Sequence, residues 1–228
     1  MNAQKGDVIK RLLTLYPQIF PEELGIDLSK REEGEVFKWF LASLLFGARI
    51  SMKLAARTYK EFAAANILTS EAILRAGWDR LVEVLDEGGY ARYDFKTATR
   101  LLDIAKALTE RYDGRITRVL ESANDCRELT TALEEFKGVG PVTVSIFLRE
   151  LRGLWPNADP PLQRAVVLTA SRLGLISAAD PGEVFEQLRQ IWSENRVEGK
   201  SFAHLEDALL RYGKDHRTGD GRGLSVLS

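Results

Sequence analysis

Residues 133–144 read Leu133-Glu134-Glu135-Phe136-Lys137-Gly138-Val139-Gly140-Pro141-Val142-Thr143-Val144. A helical run stops at Gly138, and Pro141 opens another helix at the position where a missing N–H costs nothing. Two glycines let the backbone turn tightly and approach a ligand closely. The first N–H groups of the new helix lack intrahelical partners and sit at the positive end of its dipole. Such a turn is either a plain helix–helix connection or a seat for one phosphate. A dinucleotide-binding loop is excluded: it follows a strand and needs a third glycine where this chain has Thr143 after a helix.

Outward from this turn the chain is helical text punctuated by proline and glycine, and alternating β-branched runs are nearly absent. Upstream, Ile9, Leu12, Leu13 and Tyr16 recur at helical spacing before Pro17. Residues 34–46 carry Val36, Phe37, Phe40, Leu41, Leu44 and Leu45, too densely apolar for a surface helix, which predicts a central, largely buried helix ended by Gly47. Further helices are expected over 51–65, 70–76, 78–86, 93–112, 119–123 and 126–136. Beyond the turn they are expected over 141–152, 160–173, 181–195 and 201–213, with a glycine-rich tail after His216. The fold class is therefore all-α.

The 228 residues, 45% hydrophobic and 29% charged, suffice for a sizeable core and argue against disorder. Lysine and arginine number 32 against 33 acids, so any nucleic-acid surface must be a local basic face on a neutral protein. One cysteine, Cys126, excludes an internal disulfide and any four-cysteine zinc or iron–sulfur site. With only His204 and His216, no histidine-rich metal site is expected either. No run approaches the ~18 apolar residues of a membrane span. The first seven residues lack the basic-then-apolar pattern of a secretory signal, so the expected compartment is the cytoplasm, with no membrane partner.

Phe136-Lys137-Gly138-Val139-Gly140-Pro141-x-Thr143 resembles the helix-hairpin-helix of the DNA glycosylases related to endonuclease III (the HhH-GPD superfamily). That family places a glycine/proline-containing stretch and an essential aspartate about twenty positions after the hairpin. Here Trp155-Pro156-Asn157-Ala158-Asp159 supplies the stretch, and Asp159 lies 19 positions after Gly140. Residues 40–49 resemble the family's first core helix and 88–93 a later loop, so the likeness covers roughly 36–173. It implies two helical lobes, 36–152 ending in the hairpin and 1–35 plus 153–228 carrying the aspartate, with a cleft between them.

What the resemblance implies about chemistry centres on Asp159. Before Pro160-Pro161 the carboxylate reads as the cap of the next helix. The family puts its catalytic aspartate at such a position. An anion there stabilises the positive charge that grows on the sugar as a base departs, and can orient the attacking water. The target base must first leave the duplex. Family members that also cut the backbone carry a lysine two positions after the second hairpin glycine; this chain has Val142, so lyase activity is expected to be weak or absent. The family's four-cysteine cluster has no ligands in residues 208–216, so no cofactor is expected.

Candidate DNA contacts are Gly138, Val139, Gly140, Val142 and Thr143 of the hairpin, together with Arg49, Arg92, Tyr93 and Arg164. Arg49 stands where the family places a polar residue that fills the gap left by the extruded base. Tyr90, Arg92 and Tyr93 lie in a loop resembling the second insertion element, and either stack on exposed bases or pack a helix start. Arg49, Lys53, Arg57 and Lys60, and likewise Arg92, Lys96 and Arg100, recur at helical spacing, as phosphate contacts or as solvated faces. Arg164, five after Asp159, either orients it, binds a phosphate or pairs with another acid. The expected function is monofunctional excision of a damaged or mismatched base from double-stranded DNA by a monomer. The alternatives are a DNA-binding module that keeps the hairpin without catalysis and, more remotely, a helical protein–protein adaptor.

Overall fold

A computed structural model describes residues 2–90, 94–177 and 180–216. Among the described residues there is no strand, and the order of elements is a succession of twelve α-helices with one short 3-10 turn. None of these helices is long and apolar enough to cross a membrane. The chain forms two compact units, 24–160 and the described parts of 1–23 with 161–228. The larger unit thus takes in 24–35 and 153–160 beyond the expected 36–152, and Asp159 shares a unit with the hairpin. Side chains explain the boundary. Asn157 Nδ2 donates to the carbonyls of Leu120 (2.8 Å) and Ala123 (2.7 Å), Arg31 lies over the Trp155 ring, and Asp27 N donates to Glu35.

The larger unit is built round α3 (Glu33–Phe46), with α1 (Asn2–Leu15) and α2 (Phe20–Glu23) belonging to the smaller one. Val36, Phe37, Trp39, Phe40, Leu41, Ala42, Leu44 and Leu45 are all buried, as the densely apolar pattern demands. Each large side chain there contributes about 1.5–3 kcal/mol. Around α3 pack α4 (Met52–Ala64), α7 (Ile116–Glu121) and α9 (Pro141–Leu151). Trp39 Nε1 donates to the Phe147 carbonyl at 3.1 Å, and Phe40 meets the rings of Phe136 and Phe147 edge-on. The Glu33 carboxylate accepts from the amides of Ile116 and Thr117, capping α7 from a distance.

The helices expected over 70–76 and 78–86 are both present, as the two segments of α5 (Ser70–Glu87) on either side of a break at Gly77. There φ is +71°, a value that favours glycine, and Trp78 begins the second segment. It packs on α6 (Asp94–Tyr112), and α8 (Cys126–Glu134) leads into the hairpin. In the smaller unit α10 (Arg164–Arg172), α11 (Pro181–Glu194) and α12 (Phe202–Asp215) join α1. Residues 1–23 are tied there by Phe20 N to Asp207, Tyr16 to Asp215 and His204 to Glu22. Ser201 N donates to His204 Nδ1, so the ring is an acceptor on that side and stays neutral; burial holds its pKa below the usual histidine value.

One helix starts later than expected. The residue before a proline is driven out of the α region, and both Asp159 and Pro160 precede one. Consequently α10 begins at Arg164 with Gln163, in extended backbone, as its N-cap, and Asp159 lies four residues before that cap.

Candidate nucleic-acid interface

The turn between α8 and α9 is shaped by buried anchors on both sides. Phe136 and Val139 are in the core, and Val139 N donates to the Phe136 carbonyl at 2.9 Å. Gly138 has φ +87°, and a Cβ there would meet the Arg100 side chain at 2.4 Å, so glycine is required twice over. Arg100 acts as a staple: Nη1 donates to the Gly138 carbonyl (3.3 Å) and Nη2 to that of Leu44 (3.1 Å), fixing the turn to the end of α3. Burial pushes its pKa below the usual arginine value, with the neighbouring Tyr90 hydroxyl opposing. Arg100 is therefore spent inside the unit rather than on a phosphate-facing stripe.

Gly140 is a different case. Its φ of −117° suits any residue, and a Cβ there would meet nothing within 4 Å. Space on its outer side is open, beside the start of α9, where Pro141 has no N–H and the amides of Val142 and Thr143 precede the first intrahelical bond. The Val142 side chain is 61% exposed. Thr143 is only 4% exposed: its Oγ1 lies 2.1 Å from where a Cβ of Gly47 would stand, so it locks α9 against the end of α3. Of the five hairpin residues expected to touch DNA, Val139 and Thr143 turn their side chains inward. What the turn offers outward is the open side of Gly140 and the flank of Val142.

At the other end of α9 stands Arg152, its C-cap and a residue whose side chain is buried. Its Nη1 pairs with the Asp159 carboxylate and its Nη2 donates to the Pro160 carbonyl at 2.6 Å. Asp159 follows the buried Ala158, whose amide donates to the Trp155 carbonyl. The carboxylate is thus held on a loop pinned from both sides, with 34% of its side chain reaching solvent. Arg152 is the partner that sequence reasoning missed. Orienting Asp159 was one of three roles open to Arg164; the guanidinium paired with it here, Arg152, ends the preceding helix.

The remaining candidates are dispersed. Arg49 is exposed in the loop between α3 and α4, with no hydrogen bond or ion pair among the described residues. Lys53, Arg57 and Lys60 are exposed along α4, and Arg57 Nη2 reaches the Glu87 carbonyl. Tyr90 is buried, with its hydroxyl beside Arg100, so its ring does not face solvent. Arg92 and Tyr93 lie outside the described residues. In the smaller unit the exposed Arg164 lines a hollow of about 470 Å³ with Leu168, Arg172 and Lys214.

No family model matches the chain, and no curated protein matches it. Among solved structures, that of the H. pylori 3-methyladenine DNA glycosylase MagIII bound to 1,N6-ethenoadenine is similar, with a TM-score of 0.52. The match covers 92% of this chain and 94% of that one at 17% identity, a likeness of fold.

Proposed function

We propose that this protein is a base-excision DNA glycosylase that cleaves the N-glycosidic bond of a damaged or mismatched base and performs no lyase step. The observation that carries this reading is Asp159: a partly exposed carboxylate paired with a buried guanidinium, nineteen residues after a hairpin whose second helix starts without a side-chain cap. In a water-poor site such an anion stabilises the oxocarbenium-like sugar and positions water for attack. Holding it in place beforehand avoids reorganisation during the reaction. The amides at the start of α9 grip one phosphate of the strand, aided by the helix dipole. Arg49 fills the vacated stack, and Arg164 contacts a phosphate. No amine stands at Val142, and Lys137 lies before Gly138 on the other side of the turn, which is why no Schiff base is expected. The protein acts as a monomer, in the cytoplasm, without a cofactor.

The direct test is a panel of duplexes each carrying one defined lesion or mismatch. Alkylated and etheno-modified purines come first, because the structurally similar glycosylase is named for 3-methyladenine and was solved with ethenoadenine. Release of a free base, with no protein–DNA adduct trapped by borohydride, is the expected result. Silence across the whole panel would remove the enzyme reading. The ion pair between Arg152 and Asp159 favours a second reading, because it partly neutralises the anion on which catalysis depends. A hairpin module that binds DNA without cutting it would give binding and no base release.

The grip of the hairpin is tested at Gly140. Aspartate is a preferred N-cap, and Gly140 has the extended backbone of that position, so Gly140→Asp should raise stability by a few tenths of a kcal/mol. The same carboxylate would face the phosphate, and a like charge at contact costs several kcal/mol. Duplex affinity should fall about tenfold or more. Unchanged affinity in this well-folded variant would show that the amides hold no phosphate.

A further inference from the structure

Six large apolar side chains are exposed among the described residues, and two of them, Trp78 (40%) and Phe95 (58%), touch each other. Their ring centroids are 5.2 Å apart, tilted by 36°. The break at Gly77 starts the Trp78 segment, and Trp78 Nε1 donates to Thr99 Oγ1 at 3.1 Å, which fixes the indole against α6. The two rings border an open, mainly apolar hollow of about 420 Å³ whose far wall is Lys137 and Gly138 of the hairpin. Two aromatics held rigid in solvent beside a main-chain anion seat are not explained by packing.

We propose that this hollow binds an unstacked base of single-stranded DNA, a second contact alongside the hairpin; the inference rests on the reading of that hairpin as a DNA grip. The charge around the rings suits a polyanion. Lys96 is exposed and has no ion pair among the described residues, and Lys137 is 83% exposed with a surface partner, Asp103, that exchanges readily for phosphate. Every base has a π-face, so an aromatic wall with flanking cations takes a strand without reading its sequence. Gly138 lines the hollow and belongs to the hairpin, so the two contacts adjoin along one strand.

The experiment uses the full chain, a fluorescently labelled oligothymidylate, and a blunt undamaged duplex. Wild-type protein should bind the single strand and lose tryptophan fluorescence as it does so. Trp78→Ala and Phe95→Ala should each weaken single-strand binding by about five- to a hundredfold, the worth of one stacked base. Both positions are exposed, so the variants should stay folded and bind the blunt duplex as wild type does. Equal single-strand affinity in wild type and both variants overturns the proposal. So does equal quenching by free thymidine monophosphate, which would make the hollow a nucleotide pocket. If Gly140→Asp leaves duplex binding intact while the Trp78→Ala loss remains, the hairpin reading falls and the aromatic site stands.

Discussion

Asp159→Asn should abolish base release while leaving duplex binding within about twofold of wild type. The substitution keeps shape and one acceptor oxygen for Arg152, and removes only the negative charge. Loss of a single preorganised electrostatic group costs ~10²–10³-fold in rate, and loss of the group that also positions water should reach the upper end. Stability should fall by ~1–3 kcal/mol, because the buried Arg152 loses its counter-charge, although the amide oxygen still accepts from the guanidinium. Single-turnover base release on the best duplex of the panel, with filter binding in parallel, measures both quantities. An Asn variant that turns over as fast as wild type would take Asp159 out of the chemistry.

The second large effect is structural. Gly47→Ala should destabilise the protein by ~1–3 kcal/mol, the usual cost of overpacking a close contact. The backbone at Gly47 is helical, with φ −73°, so alanine meets no conformational objection. The cost comes from the Thr143 Oγ1 standing 2.1 Å from the new methyl. Adding Thr143→Ala removes that atom and leaves the tightest contacts at 3.1 Å, which small shifts can relieve. The double variant should therefore recover most of the loss, a coupling readable from denaturation midpoints. Because Thr143 lies in the first turn of α9, the single variant should also lose duplex affinity. A stable Gly47→Ala protein, or a double variant no better than the single, would mean that this contact does not hold the hairpin.

The helices were legible where periodicity and punctuation agree. Residues 36–45 are densely apolar and form most of the buried α3, Gly47 ends it, and Pro141 opens α9. Punctuation misled at Pro160-Pro161: a proline opens a helix well, but two in succession force their predecessors into extended backbone, and α10 waits until Arg164. The anionic residue was visible through spacing from the hairpin, yet its partner was not. Arg152 reaches Asp159 only because Gly153 and the turn over 154–158 fold the chain back, a path that separation along the sequence does not reveal. Arg100 misled in the opposite way. Its four-residue spacing from Lys96 reads as one exposed stripe, whereas a slight rotation puts Lys96 in water and Arg100 under the hairpin.

The helix that joins the two ends also sets a dimension. About 16 Å of α9 separates its opening amides from Arg152, and each residue turns the helix by about 100°. One residue inserted in that span would swing the guanidinium away from Asp159 as well as lengthening the reach. The offset between the opening of α9 and the Arg152–Asp159 pair is therefore adjustable only in near-whole helical turns.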